Sequence, residues 1–190
     1  MIYAKEKQKF KRSLREFAET LSDYVSAEDR QWTVKGFIDV FRNVYTISTD
    51  TKIVSKILEI HLFPELLKFA TQSKYRIVLA DHQNYYPDIT FVSERNESVK
   101  FAVDLKTTYR LPKHPSFCNG FTLGSHGSYF KERNKRKNIQ FPYNEYAGHF
   151  CLGVIYSRTD SAEDRRNFRF QHRKTEVDCL RHQGHAVLRL

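Results

Sequence analysis

Two runs of β-branched and aromatic residues, separated by a short polar stretch, constrain this chain most strongly. The first run covers residues 89–92 and the second covers residues 99–106, and residues 93–98 between them are polar. Such runs favour strands, and a polar stretch between two of them favours a turn. The pattern therefore predicts a β-hairpin in the middle of the chain.

Acidic residues accompany both predicted strands. Asp88 directly precedes the first run, and Asp104 lies within the second, two positions before Lys106. Alternate residues of a strand share a face, so Asp104 and Lys106 are expected to point the same way. A carboxylate on the neighbouring strand can meet that face and supply a second oxygen ligand for Mg²⁺. From spacing alone, solvated charge pairs on the wet face of a hairpin are the alternative interpretation.

A metal held by two carboxylates beside an ammonium suits the hydrolysis of a phosphodiester. The metal can generate hydroxide from water and neutralise charge on the phosphate, while Lys106 can orient or deprotonate the attacking water or stabilise the developing negative charge. The three side chains Asp88, Asp104 and Lys106 are therefore the candidate catalytic group.

The residues around this group match a known family. They read Gln-Asn-Tyr-Tyr-Pro-Asp-Ile-Thr at 83–90 and Ala-Val-Asp-Leu-Lys-Thr-Thr-Tyr at 102–109. Both stretches closely resemble the EcoRV restriction endonuclease family, which has the PD-(D/E)xK nuclease fold. Further similar segments lie at residues 50–59, 121–124, 137–142 and 156–158. The resemblance runs in unbroken order from about residue 32 to residue 158.

The resemblance implies an α/β fold with a central mixed β-sheet flanked by helices. It also implies a homodimeric, Mg²⁺-dependent endonuclease, with Mn²⁺ able to substitute, that cuts both strands of duplex DNA at a short palindrome. Asp88 and Asp104 match the metal-binding aspartates of the family, and Lys106 matches its catalytic lysine. Glu59 matches an acidic helix residue near the metals. A cognate DNA methyltransferase is expected in the same system.

Other matching positions are expected to contact DNA. Gln83 and Asn84 match a loop that approaches the minor groove, and Lys137 matches a basic residue near the phosphates. Residues 131–137 hold five basic residues and one acid, which adds Lys135 and Arg136 as predicted phosphate contacts. A solvated loop is the alternative for this segment.

Composition agrees with an anionic partner. Thirty-two Lys and Arg against 22 Asp and Glu give a net charge of +10 and a pI near 9.5, which favours nucleic acid ahead of a membrane. No apolar run approaches the roughly 20 residues that span a bilayer. The chain is therefore expected to be a soluble cytoplasmic protein without a membrane partner.

The cysteines and histidines do not predict a separate site. Cys118, Cys151 and Cys179 lack C-x-x-C spacing, so free thiols are expected, with Cys151 packed as a small apolar group in a buried strand. His82, His126 and His149 share no helical spacing, which favours ordinary surface or core histidines over a metal site.

Periodicity outlines the remaining elements. Apolar residues at positions 10, 14, 17, 21 and 24 predict an amphipathic helix with a basic outer surface. Residues 32–47 predict one or two strands, which the resemblance assigns to the dimer contact. A helix capped by one of residues 48–50 is expected to kink or restart at Pro64. Strands are expected at 75–80 and 150–156, with a short helix at 143–147.

These elements suggest one endonuclease domain over residues 1–158, whose N-terminal part dimerises and whose catalytic core covers 48–158. Residues 159–190 lose the resemblance and are predicted to form a divergent tail, truncated or poorly ordered. Two alternatives to the active enzyme stay open. One is a catalytically silent DNA-binding remnant, and a weaker one is a structure-selective repair nuclease.

Overall fold

The computed structural model describes residues 2–26, 32–34, 36–47, 50–111, 113–121, 128–129, 131–157, 169–171 and 188–189. The chain divides into two compact units. Unit 1 comprises Met1–Thr20, Leu62–Lys106 and Gly120–Gly153, and unit 2 comprises Leu21–His61, Thr107–Asn119 and Val154–Leu190.

The secondary structure alternates two long helices with two groups of strands. In chain order the elements are α1 (Ile2–Val25), β1 (Gly36–Ile38), β2 (Asn43–Thr46), α2 (Thr51–Ser73), β3 (Tyr75–Leu79), β4 (Ile89–Ser93), β5 (Lys100–Leu111), β6 (His114–Cys118), a short 3₁₀ helix (Tyr143–Glu145), β7 (Tyr146–Tyr156), β8 (Arg169–Gln171) and β9 (Leu188–Arg189). The larger sheet has the order β3-β4-β5-β7-β9, with β6 paired to β5, and the smaller has the order β1-β2-β8. The predicted α/β class with a central mixed sheet is confirmed.

The predicted hairpin forms the middle of the larger sheet. β4 and β5 pair antiparallel, with Ile89 opposite Val103 and Phe91 opposite Phe101. The turn is closed by a hydrogen bond from the Val99 N–H to the Asn96 carbonyl at 2.9 Å. β5 continues to residue 111, beyond the predicted end at 106, because its pairing with β6 extends the strand.

An aromatic cluster on one face of this sheet forms the core of unit 1. Phe10 of α1 is 1% exposed and stacks on Phe101 at a ring-centroid distance of 4.3 Å. Four further rings surround it at 5.2 to 5.9 Å, namely Phe69, Tyr75, Phe91 and Phe150. Tilted and edge contacts of this kind add to the free energy gained from burying apolar area. The predicted amphipathic helix is confirmed, and its apolar stripe is what covers the sheet.

The second helix is capped at its start and is not interrupted by proline. The Asp50 carboxylate accepts hydrogen bonds from the N–H groups of Lys52 at 2.8 Å and Ile53 at 3.3 Å, which identifies Asp50 as the N-cap. The alternatives Ser48 and Thr49 lie outside the described residues. α2 continues through Pro64 without the predicted restart. Leu62 before Pro64 and Leu66 after it are both buried, and this packing holds the residues on either side of the proline in one helix.

Two short strands come from the segment predicted to be a divergent tail. β8 pairs with β2, and β9 pairs with β7. The other residues of 159–190 lie outside the described part of the chain, so the predicted poor order of the tail stays a prediction.

No helix in the described residues combines the length and the apolar character needed to cross a bilayer.

Replacing Phe10 with alanine is expected to destabilise the protein by about 3–5 kcal/mol, because the change leaves a cavity among five aromatic rings. Urea unfolding followed by circular dichroism measures this loss. Phe117→Ala is the matched control, because Phe117 is 66% exposed and its truncation leaves no cavity. Equal stability of the two variants would contradict the assigned core.

Candidate active site

The strand register brings the candidate catalytic residues together. Asp88 directly precedes β4, whose first residue Ile89 lies opposite Val103 of β5, and its carboxylate interacts with that of Asp104, the next residue of β5. The Leu105 N–H donates a hydrogen bond to the Asp88 carboxylate at 2.7 Å. The Lys106 ammonium forms an ion pair with the Asp104 carboxylate. The structure therefore assembles the predicted group of two carboxylates and one ammonium.

The two carboxylates share one electrostatic environment. Burial and then the negative charge of Asp104 raise the pKa of Asp88 from 3.8 to about 6. The Leu105 hydrogen bond and the Lys106 charge act in the opposite direction but do not cancel these effects. Because two like charges are held close together in a partly dry site, the pair favours a proton or a cation beside it.

These side chains fit a hard divalent cation. Mg²⁺ takes oxygen ligands, commonly binds through one or two carboxylates and keeps several waters. Asp88 supplies such oxygens from the residue before β4, and Asp104 supplies them from β5. Within the described residues, no group of three or more His, Cys, Asp or Glu side chains is arranged to hold a metal ion. The candidate site is thus a two-carboxylate site.

The fourth predicted residue has a different immediate partner. Glu59 lies on α2 and forms an ion pair with Lys56, one helical turn earlier. It belongs to unit 2, whereas Asp88, Asp104 and Lys106 belong to unit 1. Its role as a metal ligand stays a prediction.

The loop that carries Gln83 and Asn84 is exposed and adjoins the basic segment. Both side chains lie between β3 and β4 and face solvent. The side-chain oxygen of Gln140 accepts a hydrogen bond from the Asp81 N–H at 2.9 Å, and the Tyr86 N–H donates to the Asn138 carbonyl at 3.0 Å. The loop and the residues that follow 131–137 are therefore held side by side.

The three predicted phosphate contacts differ in their surroundings. Arg136 and Lys137 are exposed, while Lys135 is half-buried and lies 3.4 Å from the Glu132 carboxylate. The Lys137 carbonyl accepts a hydrogen bond from the Tyr129 hydroxyl at 2.6 Å, which anchors the backbone of this residue. The segment thus presents cations from an anchored backbone, as a phosphate-contacting surface requires.

A half-buried, hydrogen-bonded group of Tyr86, Tyr143 and His149 was not predicted. The Tyr86 hydroxyl donates to Nδ1 of His149 at 2.9 Å, and Nε2 of His149 donates to the Tyr143 carbonyl at 3.1 Å. Burial lowers the pKa of His149 to about 4. Tyr86 and His149 lie 63 positions apart, so local spacing carries no signal for their contact.

Cys151 lies on β7, the strand next to β5, and its position corrects an expectation. The predicted buried packing of Cys151 is wrong, because its side chain is exposed. Partial burial and the negative charge of Asp104 raise the pKa of its thiol. β7 is paired on both sides yet this position faces outward, which alternation within a strand allows.

Comparison with known proteins agrees with this geometry. The family model described as restriction endonuclease EcoRV matches residues 28–183. The match extends past residue 158, where the visible resemblance ended. The type II restriction enzyme EcoRV of Escherichia coli is 34% identical over 140 residues, which cover 72% of this chain and 56% of that protein. The chain therefore spans about half the length of the curated relative that it matches.

In metal-free protein at pH 8, Asp88→Asn is expected to raise the free energy of unfolding by on the order of 1–2 kcal/mol. The amide carries no charge beside Asp104, and its oxygen still accepts the Leu105 N–H. Because folding raises the pKa of Asp88 from 3.8 to about 6, its stabilising effect is complete below pH 3.8 and is lost as the pH rises through 6. The difference between variant and wild type should therefore shrink from pH 8 towards pH 4.

Urea unfolding in EDTA across this pH range measures the difference. Asp81→Asn removes an exposed carboxylate from the preceding loop and is the matched control, with an expected change within about 0.5 kcal/mol. A gain for Asp88→Asn that is the same at pH 4 and pH 8 would argue against the carboxylate repulsion described above.

Proposed function

Because the chain belongs to the EcoRV restriction endonuclease family, we propose that it is a type II restriction endonuclease. The proposed reaction is Mg²⁺-dependent hydrolysis of phosphodiester bonds of double-stranded DNA at a short palindrome, with Mn²⁺ able to replace Mg²⁺. The observation that carries this proposal is the proximity of Asp88, directly before β4, to Asp104 on β5, with Lys106 beside Asp104.

The proposed chemistry assigns a separate task to each of these side chains. Asp88 and Asp104 would hold the cation, which when bound supplies an activated water and neutralises phosphate charge. In the reaction the water oxygen forms a bond to phosphorus, the bond from phosphorus to the leaving sugar oxygen breaks, and that oxygen takes up a proton. Lys106 lies on the same face as Asp104, where its ammonium can orient the water or stabilise charge that develops on the phosphate.

The surroundings of the site support a duplex as the substrate. A net charge of +10 attracts a polyanion, and exposed Arg136 and Lys137 directly precede the residues that are hydrogen-bonded beside the Gln83 and Asn84 loop. Lys135 is less available to phosphates, because its ammonium also forms an ion pair with the Glu132 carboxylate. Contacts of this kind position a duplex through its phosphates, and loop side chains that reach a groove add contacts to bases.

A homodimer is proposed on the basis of the β1–β2 hairpin in unit 2. This hairpin exposes five large apolar or aromatic side chains, namely Phe37, Ile38, Val40, Phe41 and Tyr45. The Asp39 carboxylate ties the turn together, because it accepts hydrogen bonds from Phe41, Asn43 and Tyr45 at 2.8 to 2.9 Å. Several exposed apolar side chains concentrated on one hairpin are typical of an interface. A two-fold dimer would match the symmetry of a palindrome.

Two further proposals follow from the assignment. An enzyme that cuts a short sequence would also cut the DNA of its own cell, so a cognate methyltransferase is proposed as a partner system. The cytoplasm, where that DNA lies, is the proposed location.

A catalytically silent DNA-binding remnant is the second candidate. It is favoured by one observation, that the matched residues cover only 56% of the relative. In that case the basic segment would hold duplex DNA without productive cleavage.

Plasmid cleavage separates the two candidates. The wild type is expected to nick or linearise supercoiled plasmid with Mg²⁺, while Asp104→Ala and Lys106→Ala are expected to reduce the rate at least 100-fold, because each removes part of the charged group. Lys68→Ala is the matched control, because it removes the lysine of an exposed ion pair with Glu65 on α2.

Gel electrophoresis of the digested plasmid and mapping of the cut ends provide the readout. A wild type that retards the plasmid in a gel but never cuts it would favour the silent remnant. Equal loss of activity in Lys68→Ala would show that the effect is not specific to the site.

The dimer proposal predicts that Ile38→Asp combined with Phe41→Asp yields monomers, because two charges would be buried at the interface. Phe41 is 81% exposed in the single chain, so the substitution should leave the fold of the monomer intact. Sedimentation velocity reports the mass of the species in solution. Phe117→Asp, at an exposed phenylalanine outside the hairpin, is expected to leave the dimer unchanged, and dimers of the double variant would contradict the assigned interface.

A further inference from the structure

We propose that His149 is a positioning residue that holds Tyr86, and through Tyr86 the Asp88 carboxylate, in the arrangement that binds the metal. This inference rests on the nuclease function proposed above. It concerns a side chain with no direct contact to the candidate metal ligands in the described structure, and its effect would be transmitted along the backbone between Tyr86 and Asp88.

The imidazole of His149 is fixed on three sides. Its ring stacks on Tyr143 with a centroid distance of 3.7 Å and an angle of 9°. Nε2 faces the Tyr143 carbonyl at 3.1 Å, and a carbonyl can only accept, so Nε2 carries the proton. Nδ1 is then an acceptor, and the Tyr86 hydroxyl donates to it at 2.9 Å. Burial keeps the ring neutral, which preserves this acceptor near neutral pH.

Tyr86 is held by its backbone as well as by its hydroxyl. Its N–H donates to the Asn138 carbonyl at 3.0 Å, and its carbonyl accepts from the Gln140 N–H at 2.9 Å. The Asn138 carbonyl also accepts a hydrogen bond from the Tyr129 hydroxyl at 2.8 Å. His149 therefore completes a set of contacts that leaves Tyr86 little freedom to move.

The distance in sequence from Tyr86 to the metal site is short. Pro87 is fully buried and separates Tyr86 from Asp88. The proline ring fixes one backbone torsion of that connection. After this connection, the Asp88 carboxylate accepts a hydrogen bond from the Leu105 N–H at 2.7 Å. A shift of Tyr86 would consequently move Asp88 away from this donor and from Asp104.

The same contacts connect the metal site to the basic segment. The Tyr129 hydroxyl donates hydrogen bonds to the carbonyls of Lys137 and Asn138, and the Asn138 carbonyl also accepts one from the Tyr86 N–H. The segment proposed to contact phosphates and the aspartate proposed to hold the metal are thus connected through one partly buried group of side chains, Tyr86, Tyr129 and His149. Within that group, His149 accepts the hydrogen bond from the Tyr86 hydroxyl.

The test compares four variants in two assays that do not need DNA cleavage. His149→Phe keeps an aromatic ring but removes both ring nitrogens, Tyr86→Phe removes only the hydroxyl, and the double variant combines them. His149→Asn retains an acceptor near the position of Nδ1. Tyr75→Phe is the matched control, because it removes the hydroxyl of a buried tyrosine whose ring packs against Phe10 and Phe101.

The first assay is hydrogen exchange of the Leu105 amide by NMR, which reports the Asp88 hydrogen bond directly. The second is binding of Mn²⁺, followed through the electron paramagnetic resonance signal of the free ion. His149→Phe and Tyr86→Phe are each expected to speed Leu105 exchange and to weaken Mn²⁺ binding by about 10-fold, as loss of a group that supports a ligand commonly does. The double variant should be no worse than either single one, and His149→Asn should recover part of the loss.

Unchanged Leu105 exchange and Mn²⁺ affinity in both single variants would overturn the inference, as would losses that add in the double variant. Equal losses in Tyr75→Phe would also overturn it, because they would indicate general destabilisation. If His149→Phe does not fold, Tyr86→Phe tests the same hydrogen bond with a smaller change. A wild type that binds Mn²⁺ with this pattern but never cuts plasmid would overturn the proposed function and leave the positioning role supported.

Discussion

The proximity of two partly buried carboxylates, Asp88 and Asp104, is the constraint on which the rest of the site depends. The β4–β5 hairpin brings the two side chains close together, and burial and then the negative charge of Asp104 add to the free energy cost of ionising Asp88, as its raised pKa indicates. The Leu105 N–H and the Lys106 ammonium offset part of it. A bound cation would offset the remaining cost. The two close carboxylates that destabilise the metal-free protein would therefore also supply its affinity for the metal.

Holding two like charges together requires a rigid support on both faces of the sheet. On one face, Phe10 and its neighbouring rings pack against β4 and β5. On the other, the buried cluster of Ala102, Tyr129, Ile139 and Tyr146 lies under the segment that carries Arg136 and Lys137. His149 and Tyr86 join this second layer to Asp88. In this arrangement the residues proposed to bind phosphate and metal are supported by a shared core, which favours a fixed distance between them.

The sequence predicted much of the architecture because many of its signals are local. Strand alternation placed Asp104 and Lys106 on one face, and helical spacing placed Phe10 and Leu14 on the buried side of α1. Pro64 shows where local rules fail, since the helix continues through it when Leu62 and Leu66 are buried on both sides. Cys151 shows the same limit, because the apolar character of its strand did not indicate which face the thiol occupies.

By itself the sequence determined the hairpin, the amphipathic helix, the order of the candidate catalytic residues and the family to which they belong. Only the tertiary structure decided that Asp88 lies beside Asp104 and that Tyr86 contacts His149, 63 positions away. The physical reason is that periodicity and propensity describe each segment alone. Strand register and the burial of a polar pair depend instead on how distant segments pack, and their free energy is gained only when the core closes around them.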